Sequence, residues 1–117
     1  MGGSHSKSDP PPYMNSKEAR EVAGLITENC VMVFSKTYCP YCKEVKNIFK
    51  NMNVPFQCVE LDIRHDGQEL QDILQYLTKA RTVPRVFVNG ECIGGCSETK
   101  ALYQTGQLQD KLQSCGS

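Results

Sequence analysis

The sequence lacks tryptophan, an excess of charge of either sign and any long apolar run. Lys plus Arg and Asp plus Glu each number 13 among 117 residues. Such a balance argues against nucleic-acid binding, which depends on an excess of positive charge. No stretch approaches the roughly 18 consecutive apolar residues of a membrane-spanning helix, and the first residues do not resemble a secretory signal. We therefore expect one soluble domain without a nucleic-acid partner.

Cysteine is the residue type that stands out by its abundance. There are seven, at positions 30, 39, 42, 58, 92, 96 and 115. An odd number excludes a complete set of intramolecular disulfides, and without a secretory signal this content favours redox or metal chemistry over a disulfide scaffold. Only Cys39 and Cys42 have the two-residue spacing that is typical of such chemistry.

The beginning of the chain differs in composition from the rest. Residues 1–14 are rich in Gly, Ser and Pro, and they predict a flexible tail before a single domain over 15–117. The first six residues also match the myristoylation pattern, in which Gly2 carries the lipid. A leader that fits this pattern by chance is the alternative, so membrane contact is expected only if Gly2 is modified.

Apolar residues alternate between helical and strand spacing along the chain. Helices are predicted at 16–28, 41–52, after Asp66, after Ser97 and at 108–113, with Asn15 and Ser97 as caps of the first and fourth. Strands are predicted at 31–34, 56–61, 85–88 and 91–93, the last two joined by an Asn89-Gly90 turn. This α/β order resembles the thioredoxin-like architecture, a four-stranded mixed sheet flanked by four to five helices.

The segment Cys39-Pro40-Tyr41-Cys42 lies between a predicted strand and a predicted helix. Pro40 suits a first helical turn. Cys39 then lies at the helix N-terminus, where unpaired N–H groups and the helix dipole stabilise a thiolate. Cys42 lies about one turn further along, shielded beneath Cys39. We expect Cys39 to be the nucleophile and Cys42 to close a disulfide with it.

A structural zinc site is the alternative for these two cysteines. Cys92 and Cys96 could complete a four-thiolate site. A predicted strand, a helix and most of a third strand separate the two pairs, however, whereas zinc-binding pairs usually lie on tight turns. A CxxC motif beside a β-α-β pattern favours a redox function.

Two backbone features are candidates for ligand contacts. Thr82-Val83-Pro84 precedes the third strand, and a cis Pro84 would present the Val83 backbone to an extended peptide beside the CxxC motif. An ordinary trans proline at a strand start is the alternative. Gly94-Gly95 leads into a helix whose N-terminal N–H groups can bind a carboxylate, or it is a plain turn.

Taken together, the segments Ser35–Lys43, Thr82–Phe87, Asn89-Gly90 and Cys92–Ser97 resemble those of a dithiol glutaredoxin. The resemblance covers about residues 18–115. It implies a glutathione-dependent oxidoreductase that reduces protein–glutathione mixed disulfides through Cys39 and protein disulfides through Cys39 and Cys42. The implied partners are glutathione, as co-substrate, and proteins that are glutathionylated or contain a disulfide.

The resemblance also implies a glutathione site built from matching residues. Lys36 and Gln71 would hold the glycine carboxylate. Thr82, Val83 and Pro84 would hold the cysteinyl moiety, and Ser97 and Glu98 the γ-glutamyl end. Tyr41 would line the groove. Many relatives have Asp where Glu98 stands, and the longer side chain keeps the charge but changes its reach.

Resemblance to the mitochondrial branch of the family adds two expectations. It implies a structural disulfide between Cys30 and Cys115, and two free thiols are the alternative. Some members of this branch bridge a [2Fe–2S] cluster between two subunits, with glutathione as co-ligand, but they carry Ser where Pro40 stands, so we expect no cluster. Nothing in the sequence requires a dimer, so we expect a monomer, and a cluster-binding dimer is the alternative function. The expected location is cytoplasmic, with a mitochondrial form or a myristoyl-anchored pool as alternatives.

Overall fold

Four strands form a mixed sheet that helices cover on both faces. The computed structural model describes residues 9–115. The strands are β1 (Val31–Ser35), β2 (Gln57–Glu60), β3 (Arg85–Val88) and β4 (Glu91–Gly94). The helices are α1 (Lys17–Glu28), α2 (Pro40–Asn51), α3 (Gly67–Thr78), α4 (Cys96–Thr105) and α5 (Gln107–Gln113). The predicted lipid site at Gly2 lies outside the described residues, and so do residues 1–8 of the predicted tail. Where the predicted tail meets the domain, Pro12–Asn15 forms a short 3-10 helix.

The order of the strands is β2-β1-β3-β4. β1 is parallel to β2 and antiparallel to β3, and β3 is antiparallel to β4. Asn89 and Gly90 both have positive φ, 54° and 82°, as a two-residue type I′ turn requires. The predicted thioredoxin-like fold, its mixed sheet and its Asn-Gly hairpin are therefore confirmed.

The central strand β1 is buried along its whole length and separates two apolar cores. Met32 and Phe34 face α1 and α3, whereas Val31 and Val33 face α2 and α5. This alternation follows from the two-residue period of a strand. A continuous apolar run was the expected sign of a strand buried on both faces, and the structure confirms it.

Two of the predicted helix caps are wrong. The Ser16 hydroxyl, not the Asn15 side chain, accepts the N–H of Ala19 at 3.1 Å and caps α1. Ser97 lies inside α4, because that helix already begins at Cys96. No helix among residues 9–115 is long and apolar enough to cross a membrane.

A disulfide joins Cys30, just before β1, to Cys115, after α5. The two Cα atoms lie 5.7 Å apart although 85 residues separate them in the sequence. α5 brings them together, because Leu108 and Leu112 pack against the same core that contacts Cys30. The pairing implied by the resemblance is therefore confirmed.

Candidate active site

Cys39 occupies the cap position of α2, and Pro40 is the first residue of that helix. The Cys39 sulfur accepts a hydrogen bond from the N–H of Cys42 at 3.3 Å. The Cys39 N–H in turn donates to the Lys36 carbonyl at 3.1 Å. Cys39 retains 8% of its surface exposed, whereas Cys42 is fully buried. Cys39 is therefore the sulfur of the pair that a second molecule can reach.

Cys42 lies behind Cys39 and is kept in its neutral form. Burial, together with the hydrogen bond to Cys39, raises the pKa of the Cys42 thiol to about 11. At neutral pH Cys42 is consequently a thiol. The two sulfurs are both free in the structure, and their environments give them different roles.

One pocket beside Cys39 is lined by most of the residues predicted for the glutathione site. They are Tyr41, Thr82, Val83, Pro84, Ser97 and Glu98. The Val83-Pro84 peptide bond is cis, so the alternative of an ordinary trans proline is wrong. The Cys39 thiol lies 3.9 Å from the Val83 carbonyl oxygen, which places the nucleophile at the edge of this pocket.

The other two predicted residues, Lys36 and Gln71, line a separate depression. Gln71 is only 7% exposed, and its amide donates to the Arg81 carbonyl at 2.9 Å. One N–H of the Gln71 amide therefore binds the segment that leads into Thr82. The second N–H of this amide is left to bind a ligand. Since Cys39 contacts both Lys36 and Val83, it lies between the two groups of predicted residues.

Glu98 has a structural task that the sequence analysis missed. Its carboxylate accepts the N–H of Gly95 at 2.8 Å and so caps α4. This hydrogen bond lowers the pKa of Glu98, so the side chain stays negative. Gly94 leaves room for it: a Cβ atom there would lie 2.8 Å from two Glu98 carbons, and the φ of 113° also favours glycine.

Three further residues line the pocket, namely Arg85, Gly95 and Cys96. Arg85 is only 9% exposed, and its Nε donates to the Pro84 carbonyl at 3.3 Å. Within residues 9–115 it forms no ion pair. A charged residue at the start of the apolar run Val86–Val88 was the signal that could have identified it.

Asp62, which sequence reasoning also missed, holds the segment before Cys39 in place. Its carboxylate accepts the Thr37 N–H at 2.9 Å and the Thr37 hydroxyl at 2.5 Å. The hydroxyl lowers the pKa of Asp62. This contact ties the residues between β1 and α2 to the end of β2, and thereby fixes the backbone on which Lys36 and Cys39 lie.

The four-thiolate zinc alternative is wrong. Cys92 packs against the core beneath α1 and α3, and Cys96 against the core beneath α2 and α5. The two thiols thus lie on opposite faces of the sheet. In the part of the chain that the structure describes, no three or more His, Cys, Asp or Glu side chains are grouped so that they could hold a metal ion.

Comparison with known proteins supports one family. A family model described as Glutaredoxin matches residues 31–93. The mitochondrial glutaredoxin-2 of Bos taurus is 45% identical over 95 residues, which are 81% of this chain and 60% of that protein. The glutaredoxin of Ricinus communis is 47% identical over 92 residues, which are 79% of this chain and 90% of that protein.

Solved structures give the same result. The chain superimposes on the crystal structure of a buckwheat glutaredoxin–glutathione complex with a TM-score of 0.85 and 37% identity, covering 92% of this chain and 97% of that one. The chain spans 60–63% of the length of several mitochondrial glutaredoxin-2 relatives. The matched segment includes Cys39, Cys42 and the cis Pro84. By sequence and by fold, this chain belongs to the glutaredoxin family.

Proposed function

We propose that the protein is a glutathione-dependent thiol–disulfide oxidoreductase. The observation that carries this proposal is the position of the Cys39 sulfur. It lies at the N-terminus of α2, accepts the N–H of Cys42 and lies 3.9 Å from the carbonyl oxygen of Val83, which lines the adjacent pocket. Helix N-terminal N–H groups favour a negative charge on sulfur, and the thiolate is the nucleophile in thiol–disulfide exchange.

Glutathione suits the charges around Cys39. It carries two carboxylates and one ammonium group. Lys36, with the second N–H of Gln71, would bind the glycine carboxylate, and Glu98 would attract the ammonium group. The N-terminus of α4 at Ser97 would receive the other carboxylate. The Val83 backbone, near Tyr41, would pair with the cysteinyl part. The glutathione complex of the buckwheat relative supports this assignment.

In the monothiol route, Cys39 attacks the glutathione sulfur of a protein–glutathione mixed disulfide. The new bond joins the Cys39 sulfur to glutathione, and the protein sulfur leaves and takes up a proton. A second glutathione thiolate then attacks the glutathione sulfur on Cys39. Oxidised glutathione is released, and Cys39 returns to its thiolate form.

In the dithiol route, Cys39 attacks a protein disulfide and forms a mixed disulfide with the protein. Cys42 then attacks the Cys39 sulfur and releases the reduced protein. Two glutathione molecules reduce the resulting Cys39–Cys42 disulfide. The burial of Cys42 supports this division, because a buried thiol can react with its neighbour while it is shielded from other molecules.

Two variants test the proposal. Cys39→Ser should abolish turnover of both a glutathionylated peptide and a protein disulfide. Cys42→Ser should keep the first activity and lose the second, measured with glutathione as the electron donor. If Cys42→Ser loses both activities equally, the monothiol route is wrong. If thioredoxin reductase supports turnover better than glutathione, the assigned donor is wrong.

We further propose that the enzyme works as a monomer without a [2Fe–2S] cluster. Pro40 at the first position of α2 supports this, because proline stiffens the segment beside Cys39 and has no N–H to donate there. Protein purified anaerobically with glutathione should be colourless and should elute as a monomer. A brown dimer with visible absorbance would contradict both parts.

The protein substrates we propose are those with a glutathione adduct or an accessible disulfide. For the compartment we propose the cytoplasm. Relatives named as mitochondrial and as chloroplastic support organellar forms as the alternative. Microscopy of the tagged full-length protein distinguishes these locations.

A further inference from the structure

A polar cluster lies on the α2 side of the sheet, behind Cys42. We call it the Ser35 cluster, and its members are Ser35, Lys46, Cys58 and Glu60. Ser35 and Glu60 are opposite each other on the parallel strands β1 and β2. Lys46 follows Cys42 by four residues on α2, so the two lie on the same helix face.

Glu60 is the centre of this cluster. Its Oε2 atom accepts from the Lys46 ammonium group at 2.6 Å and from the Cys58 thiol at 3.4 Å. Its other oxygen, Oε1, is buried and has no hydrogen-bond partner among residues 9–115. A buried carboxylate oxygen without a donor is unfavourable, so Glu60 attracts any hydroxyl proton within reach.

Ser35 supplies the nearest hydroxyl proton. The residue is fully buried, and its hydroxyl donates to the Lys36 carbonyl at 3.3 Å. Ser35 also lies opposite Glu60 on the paired strands, on the face of the sheet that α2 covers, and its hydroxyl lowers the pKa values of Cys42, Cys58 and Glu60. Because a serine hydroxyl has a single proton, it can serve only one of these acceptors at a time.

We propose that Ser35 is a positioning residue for Cys42: its hydroxyl turns to donate to the Cys42 sulfur during the resolving step, and Glu60 competes for that proton. The inference rests on the proposed dithiol chemistry. In the step concerned, Cys42 loses its proton to solvent and its sulfur bonds to the Cys39 sulfur. The bond from Cys39 to glutathione or to the protein breaks, and the leaving thiolate takes a proton from water.

The other titratable groups around Cys42 fit this assignment. Cys39, at the start of α2, disfavours a second negative charge on Cys42. Lys46 is attracted to both Cys42 and Glu60, and its ion pair with Glu60 weakens the competition of that carboxylate for the Ser35 hydroxyl. Cys58 is kept neutral at moderate pH, because burial raises its pKa to about 11.

The resolving step can be timed directly. Reduced full-length protein is mixed with oxidised glutathione, quenched with acid after set times and analysed by mass spectrometry with peptide mapping. The glutathione adduct on Cys39 appears first, and its conversion to the Cys39–Cys42 disulfide is the resolving step. The second rate is independent of glutathione concentration.

Two variants with opposite expected effects are compared over a range of pH. Ser35→Ala should slow the resolving step about tenfold, the equivalent of one pKa unit, and move its pH profile to higher pH. Glu60→Gln should accelerate it several-fold and move the profile to lower pH. Thr27→Ala, another hydroxyl that donates to a backbone carbonyl, and Glu91→Gln, another ion-paired glutamate, are the matched controls and should behave as the wild type.

The outcomes separate this inference from the proposed function. If neither variant changes the resolving rate while the adduct forms normally, the inference is wrong and the enzyme assignment stands. If both variants slow it alike, the cluster has only a structural role and the inference is again wrong. If the wild type forms no adduct on Cys39, the proposed function itself fails. In a Cys42→Ser background, Ser35→Ala should leave deglutathionylation unchanged, and a loss there would also overturn the inference.

Discussion

The two ends of β1 carry two cysteine pairs with opposite properties. Cys30 precedes the strand and is bonded to Cys115, whereas Cys39 follows it and remains a free thiol beside Cys42. The pocket at the Cys30 end has Glu28 as its charged side chain, which repels an anion such as glutathione. The pocket at the Cys39 end holds Arg85 and Glu98, and Lys36 is close by. The reactive pair differs from the structural bond in its place at a helix N-terminus and in the burial of Cys42 behind Cys39.

The largest expected contrast is in activity. Cys39→Ser should reduce turnover of a glutathionylated peptide to the uncatalysed level, because the nucleophile is lost. Cys115→Ser should leave that turnover close to wild type at a temperature where both proteins are folded. A steady-state assay with glutathione measures both. Strong loss of activity in Cys115→Ser would mean that the two ends of β1 are coupled.

The next contrast is in stability. Cys115→Ser should lower the free energy of unfolding by about 2–4 kcal/mol, because the disulfide restricts the unfolded chain over 85 residues of sequence. Urea unfolding under non-reducing conditions measures this, with Cys92→Ser as a control that breaks no disulfide. Equal stability of Cys115→Ser and wild type would show that the bond does not brace the fold.

A smaller effect should appear at alkaline pH and should come from the free thiols. The pKa values of Cys42 and Cys58 are raised from an ordinary 9.0 to about 11 in the folded protein. Between these values the unfolded chain loses protons that the folded chain retains, so the free energy of unfolding falls as the pH rises from about 9 to about 11. The disulfide-bonded Cys30 and Cys115 contribute nothing.

Cys58→Ser isolates this alkaline effect. We expect the variant to lose about 1–2 kcal/mol less stability than the wild type over that pH interval. Urea unfolding at the two pH values measures the difference. Identical pH dependence in both proteins would mean that Cys58 titrates as an ordinary thiol.

The smallest contrast concerns two glutamates. Glu98→Gln should cost about 0.5–1 kcal/mol, because the charged cap on the Gly95 N–H is weakened, and it should raise the KM for glutathione. Glu91→Gln removes an exposed ion pair with Lys111 at 3.6 Å and should change stability by less than about 0.5 kcal/mol. If Glu98→Gln and Glu91→Gln change the KM for glutathione equally, Glu98 is not part of the proposed binding site.

Local signals in the sequence identified most of the fold. The Asn89-Gly90 turn and the Cys39-Pro40 helix start each depend on backbone preferences of the residues themselves, and both are as predicted. The predictions of the helix caps were wrong where neighbouring residues compete for the cap position. Ser97 is a good capping residue, but Glu98 reaches back to Gly95 and starts α4 one residue before Ser97.

The parts of the site that sequence reasoning missed depend on contacts between distant elements. Asp62 matters because it reaches Thr37, which lies 25 residues earlier. The opposite placement of Cys92 and Cys96 depends on the face of the sheet each one meets, which their spacing does not reveal. Arg85 was visible as a charge beside an apolar run, but its place in the pocket required the turn at Pro84.

The Cys30–Cys115 bond also makes a covalent ring that, among residues 9–115, contains every strand and four of the five α-helices, while α1 lies outside it. Trypsin can cut after Lys79 or Arg81, which are exposed between α3 and β3. One such cut opens the ring without releasing a fragment. On a denaturing gel the nicked protein should therefore run as one species until a reductant is added, and then as two.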